Sequence, residues 1–296
     1  MKRIYSFFFL LLFVLGACSP THDEPDAWGT FEATEVTVSA MANGKLLQFN
    51  VDEGQLLDSG QMVGFVDTTD LYLKKRQAMA QRNATASKKS DLQAQISIYQ
   101  QNKDNILVDK FRVENLLKAG AATQKQMDDI TAAMNVADRQ IAAVQTQFSG
   151  LEDQIGSISQ QIAQLEEAIR NAYIINPVSG TVLTKFAEVD EVTVFGKPLY
   201  KIANLKEMIL RVYISGSQLS QLFIGQEVAV LYDKNEDENT TTSGIVSWIS
   251  PTAEFTPKTI QTKEERVNLV YAVKVRVKNN GSMKIGMPGE IKLNNP

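Results

Sequence analysis

Gly44-Lys45-Leu46-Leu47, Val51-Asp52-Glu53-Gly54 and Asp58-Ser59-Gly60-Gln61-Met62-Val63 make a run of short apolar strands separated by glycine turns, and the chain repeats it further on, from Ser179 to Ile202. One constant shift lays Asn43-Gly44 on Ser179-Gly180, Leu46 on Val182, Gly60 on Gly196, Val63 on Leu199 and Val66 on Ile202. Asp190 stands where the first copy has Gly54, a replacement that a left-handed turn position accepts because Asp adopts that conformation. Each copy is too short to bury a core alone, so the two are expected to pair as one small β-sandwich.

What separates the copies has another composition. Between residues 68 and 173 lie 15 of the chain's 22 glutamines, three glycines and no proline. Its second half carries apolar residues from Met127 through Ile141, Val144, Ile155, Ile158 and Ile162 to Ile169 in alternating steps of three and four, a heptad seam. The first half spaces Leu71, Ala78, Thr85, Leu92, Tyr99, Ile106 and Val113 seven apart among lysines and glutamines, and is the more polar arm. Between the arms, Gly120 suits the residue after a helix C-terminus, and Thr123 with Gln126 forms a capping box for the next helix. The segment therefore reads as an antiparallel coiled-coil hairpin, a rod of roughly 70 Å.

After residue 203 the pattern changes to alternating strands at 208–214, 227–232, 244–249 and 269–277, with a short helix at 217–223 capped by Ser217 and closed by Gly225. A small β-barrel ending at Met287-Pro288-Gly289 is expected. The acidic run from Asp233 to Asn239 resembles a calcium loop only in part: it lacks the glycine at the sixth place, and Gly244 stands where the bidentate Glu belongs. It reads as a solvated hairpin tip, and Trp248 as a core residue.

Composition removes whole classes of function. A net charge of −4 offers no basic excess for nucleic acid. One histidine and one cysteine leave no material for a Ser-His-Asp or Cys-His mechanism or a zinc site. No catalytic residue, metal or cofactor is expected. No lysine tripeptide stands at the junction Val66-Asp67-Thr68-Thr69-Asp70, which argues against a swinging-arm carrier. Lys2 and Arg3 precede an apolar run from Ile4 to Leu15, long enough for an export signal and too short to cross a bilayer permanently.

Several of these features carry resemblances. Leu15-Gly16-Ala17-Cys18 resembles the bacterial lipobox, which implies a lipidated Cys18 followed by a polar tether. The turn spacing of the two copies resembles the halves of a biotinyl/lipoyl domain. The order of parts, a split lipoyl-like β-sandwich, an inserted antiparallel coiled-coil hairpin and a following small β-barrel in an elongated α+β chain, resembles the HlyD-type membrane fusion proteins. These are periplasmic adaptors of tripartite export pumps. The stretch from Ala253 to Arg266 is similar to a segment of adaptors that partner ABC-type exporters, and Lys284-Ile285-Gly286-Met287-Pro288-Gly289 to the family's closing barrel turn.

The resemblance implies a layout of 1–17 leader, 18–34 lipidated tether and first strand, 35–67 and 174–203 sandwich halves, 68–173 hairpin and 204–296 barrel. It implies an inner-membrane transporter, ABC-type in preference to proton-driven, an outer-membrane channel, and a homo-oligomeric ring, a hexamer or a trimer of dimers. The chain would sit in the periplasm, lipid-anchored to the cell membrane of a Gram-negative envelope. At the hairpin tip the family carries an Arg, a Leu four residues on and a Ser seven beyond that. Arg112, Leu116 and Thr123 fall at that spacing around Gly120, with Thr in place of Ser. The readings from other classes are a lipoyl carrier and a structural envelope coiled coil.

Overall fold

The computed structural model describes residues 25–233, 238–255 and 269–293. The leader, Cys18, most of the acidic run after Asp233 and the stretch from Thr256 to Arg266 lie outside them.

The chain begins with β1 (Ala27–Glu32) and continues into β2 (Glu35–Ser39), β3 (Gly44–Phe49), β4 (Leu56–Leu57) and β5 (Met62–Val66). Helices α1 (Thr69–Lys118) and α2 (Gln124–Asn171) follow, then β6 (Tyr173–Ile175), β7 (Gly180–Lys185), β8 (Val192–Thr193) and β9 (Pro198–Ala203). Strands β2 to β9 form two four-stranded sheets, ordered β2-β9-β7-β4 and β6-β5-β3-β8, so each sheet draws two strands from either side of the helices.

The repeat holds at the level of register. Val38 pairs with Tyr200 and Gly64 with Ile174, the same pairing with the two copies exchanged. Leu57 opposite Gly180 recurs as Thr193 opposite Gly44. The bulge between Leu46 and Gln48 recurs between Val182 and Thr184. Gly54 has φ 83° and Asp190 φ 72°, so the expected turn conformation is present in both copies. Leu46, Leu57, Val63, Val66, Val182, Leu199, Tyr200 and Ile202 fill the space between the sheets.

One pair departs from the symmetry. Asn176 occupies the place of Ala40 and is fully buried. It donates to the carbonyls of Asp58 (2.8 Å) and Val178 (2.7 Å) and accepts from the Tyr200 hydroxyl at 3.0 Å. Burial pushes that hydroxyl up to about 12.

The barrel holds β10 (Glu207–Ser215), β11 (Glu227–Asp233), β12 (Asn239–Ile249), β14 (Leu269–Lys278) and β15 (Pro288–Lys292), with a two-residue strand β13 (Glu254–Phe255) on its flank. β1 enters it between β10 and β15, and β10 pairs with β14 to close six strands on themselves. Closure removes the free edges that an open sheet presents to other chains. Phe31, Met208, Leu210, Val228, Val275 and Ile291 pack inside. Gly29 is required on β1, because a Cβ there would lie 1.8 Å from the Arg211 carbonyl oxygen.

Three local expectations differ from the structure. In place of a helix at 217–223 there is one 3-10 turn, Leu219–Gln221, and the Ser217 side chain does not cap it. Gln218 does the tying instead: its amide oxygen accepts from the Ser215 backbone and its nitrogen donates to the Asp26 carbonyl. Trp248 is exposed, not core. A bulge between Val246 and Trp248 breaks the alternation, and Lys274 lies over the outward-facing ring at 5.3 Å. The barrel also runs past Gly289, since β15 extends to Lys292.

Candidate functional site: the hairpin and its tip

Two helices of 50 and 48 residues run antiparallel, giving a rod of about 75 Å at 1.5 Å per residue. On α2 every seam residue from Met127 to Ile169 is buried or half-buried, while Val136, off the seam, is exposed. On α1 the heptad-spaced series from Leu71 to Val113 faces the same seam.

Sequence reading missed the second seam position of α1. One helical turn after each member of that series stand Lys75, Arg82, Lys89, Ile96, Lys103, Lys110 and Leu117, all half-buried. Three of these lysines reach across to α2 at 2.7 Å: Lys75 to Glu166, Lys89 to Glu152 and Lys103 to Asp138. Each advance of two heptads along α1 is matched by a retreat of two heptads along α2, so the three bridges fix a single antiparallel register. The Lys75 ammonium holds the Glu166 carboxyl below its ordinary range. The signal was present as a second heptad series, made mostly of cations.

At the far end the chain reverses between Lys118 and Gln124. Gly120, at φ 71°, donates its N–H to the Leu117 carbonyl (3.0 Å), and Ala121 donates to that of Leu116 (2.8 Å). This pair of bonds is the Schellman motif and satisfies two of the last carbonyls of α1. Thr123 caps α2: its hydroxyl accepts from the Gln126 N–H at 3.3 Å, and its own N–H donates to the Gln126 side chain at 2.8 Å. Such a cap stabilises a helix by about 1 kcal/mol.

The sequence-derived tip residues gather here. Arg112 is solvent-exposed, and its ion pair is with Asp109, one turn back on its own helix, at 3.0 Å. Leu116 is 43% exposed and lies outside the seam, which Val113 and Leu117 occupy. Sequence reading gave no role to Val108 and Phe111, each 60% exposed. With Arg112 and Leu116 they follow the i, i+3, i+4, i+8 spacing of one helical stripe. The outer face of α1 near the tip is thus apolar with one cation at its centre. Beside it, Val113, Leu116, Ala121, Ala122 and Ile130 line a notch of about 410 Å³. Nothing in this set is suited to bond-making chemistry. Among the described residues no three His, Cys, Asp or Glu stand together to hold a metal ion, and no helix is long and apolar enough to cross a membrane.

A sandwich interrupted by a helical hairpin and joined to a closed barrel is the architecture of the HlyD-type membrane fusion proteins, and the chain shares it. Over 91% of its length it superimposes on the membrane fusion protein Spr0693 of Streptococcus pneumoniae R6, covering 98% of that chain, with a TM-score of 0.57 and 16% identity. MacA from Actinobacillus actinomycetemcomitans gives a TM-score of 0.53 at 20% identity, with 90% of this chain and 76% of that one covered. In sequence it is similar to the UPF0194 membrane protein YbhG of Salmonella arizonae, 26% identical over 307 residues, which span 90% of this chain and 88% of that protein. No model of a protein family matches the chain.

Proposed function

We propose that the chain is a non-enzymatic periplasmic adaptor that links an inner-membrane ABC-type exporter to an outer-membrane channel. The observation that carries this reading is the rod with its exposed tip. A hairpin of about 75 Å, set in register by its own ion pairs and capped at a tight turn, holds Arg112 and Leu116 far from the folded β domains. Such a rod spans a gap and makes contact at its end. Arg112, Leu116, Gly120 and Thr123 are assigned to the channel contact, with Phe111 and Val108 beside them.

The remaining parts follow from the same reading. Cys18 would carry the lipid that keeps the chain on the cell membrane, several copies would form a ring around the transported substrate, and the energy would come from ATP hydrolysed in the partner. The ABC-type partner is preferred over a proton-driven one because the hairpin is long and the sequence from Ala253 to Arg266 is similar to a segment of adaptors that partner ABC-type exporters. The test is affinity purification of the tagged chain from crosslinked cells. An ATPase–permease pair and an outer-membrane channel recovered together support the proposal. Recovery of a proton-driven transporter would replace the partner, and recovery of neither membrane component would sink the adaptor reading.

A further inference from the structure

The short connections from β1 to β2 and from β9 to β10 put the sandwich at one end of the barrel. The opposite end gathers Asp26, the close of β10 at Ser215, the start of β11 and Leu293, whose N–H donates to the Asp26 carboxylate at 2.7 Å. There the connection from the 3-10 turn into β11 shows an unusual division. Leu222 is buried in the barrel core, whereas Phe223 and Ile224 are each 64% exposed.

The turn that carries them is firmly tied. The Phe223 N–H donates to the Gln226 side chain at 3.0 Å, and the Gln226 N–H returns to the Phe223 carbonyl at 3.2 Å. Gly225 takes φ 92°, a conformation closed to most side chains, and its N–H bonds the Val246 carbonyl at 2.8 Å. Two large apolar side chains are therefore displayed at the apex of a fixed turn, on the face from which the N-terminal segment leaves the barrel. Trp28 and Leu269, also exposed, lie at the same end.

We infer that Phe223 and Ile224 insert into the surface of a lipid bilayer and dock this end of the barrel on it. The inference rests on the reading of Cys18 as a lipid anchor. Asp26 follows Cys18 so closely in the chain that the tether reaches at most about 29 Å, and a lipid on Cys18 holds this face within that distance of the bilayer. The diacylglyceryl group of a lipobox cysteine has two acyl chains and keeps the protein on the bilayer by itself, so the contact at Phe223 and Ile224 sets how this barrel end sits on the surface and not whether it is attached. Among the described residues, the charged groups at this end, Asp26, Glu227, Glu254 and Glu290 with Arg211, Lys274 and Lys292, carry no cationic excess. The contact is therefore apolar and indifferent to anionic lipid, unlike a polybasic patch.

Phe223→Trp adds an aromatic reporter of similar habit, since tryptophan favours the bilayer interface. The full mature chain, with and without Cys18→Ala, is mixed with neutral phosphatidylcholine vesicles whose acyl chains are brominated. Quenching of the added tryptophan above the Trp28 and Trp248 background, equal on neutral and anionic vesicles, is expected in the anchored chain and, at higher lipid, in the Cys18→Ala chain. A Phe223→Ser/Ile224→Ser variant of the Cys18→Ala chain should sediment with these vesicles at least about tenfold more weakly, because each apolar side chain contributes on that order to partitioning. Absence of quenching, or quenching only when the purified transporter is in the membrane, would overturn the inference, the latter in favour of a protein contact. Mass spectrometry of the N-terminus reports the Cys18 reading separately. An unacylated chain whose turn is still quenched would fail that reading and leave the lipid contact standing.

Discussion

The sandwich and the hairpin solve the same problem, pairing distant stretches of one chain, by opposite means. The sandwich uses likeness: its two halves repeat strand for strand, bulge for bulge and turn for turn, so every inter-half pairing occurs twice in one register. The hairpin uses difference. α2 supplies an uninterrupted apolar seam, and α1 answers with one apolar series and one cationic series. Backbone hydrogen bonds fix the strands, because a one-residue slip would turn every buried side chain outward. A helix pair has no such ladder between its members, and an apolar seam alone tolerates a slip of one heptad. The lysine bridges, recurring at every second heptad, supply the missing register.

The harshest way to break the comparison is to remove one side of it. Replacing residues 69–171 by a short turn should abolish export and delete the helical signal in far-UV circular dichroism, while a cooperative β transition persists. Ala172 must be kept, since it is fully buried and its carbonyl accepts from the Val66 N–H. Loss of the β transition would mean that the halves depend on the hairpin.

Ile158 packs with Ala78, Ile162 and Leu165 where the two helices meet. Ile158→Ala should destabilise the hairpin by about 2–4 kcal/mol. Urea unfolding followed by far-UV circular dichroism should show it, and amide exchange in the sandwich should stay unchanged. In the sandwich the corresponding probe is Gly54. A Cβ there meets nothing within 4 Å, so the only obstacle is φ 83°. Gly54→Ala should cost about 1–2 kcal/mol. Gly54→Asp should cost roughly half as much by the same thermal melts, as Asp190 shows in the matching turn. Equal losses for both would break the equivalence of the halves.

The smallest effect belongs to the ladder. Lys89 and Glu152 are each about half exposed, so Lys89→Glu should cost no more than about 1 kcal/mol. Lys89→Glu with Glu152→Lys should recover most of it at low salt. Recovery that is absent at low salt would deny the bridges their register role.

Much of this was legible beforehand because it rests on periodicity. The glycine spacing announced the sandwich, the three-four spacing announced α2, and Gly120 with Thr123 and Gln126 announced the turn. Less was legible where a residue's role depends on a distant partner. Trp28-Gly29-Thr30-Phe31 carries too few alternations to reveal that β1 completes a barrel whose other strands begin at Glu207. Trp248 was misjudged because a bulge cannot be seen in an alternating pattern. Lys75, Lys89 and Lys103 looked like solvated charge until Glu166, Glu152 and Asp138 stood opposite them. Leu116 could have been read into the seam, and only the packed pair shows that Val113 and Leu117 fill it.

The central proposal is that the hairpin tip contacts an outer-membrane channel through the stripe around Arg112. Arg112→Asp inverts an exposed charge whose ion pair is local, so stability should change by no more than about 0.5 kcal/mol. The decisive measurement places a photo-crosslinking amino acid at Phe111 in living cells and compares chains with and without Arg112→Asp. The adaptor account predicts a crosslink from the unaltered tip to an outer-membrane channel. In Arg112→Asp that crosslink and export should both be lost, with abundance and co-purification of the inner-membrane exporter unchanged. A crosslink and export rate undiminished in Arg112→Asp would contradict it, leaving Arg112, Leu116, Gly120 and Thr123 as a helix end and its turn.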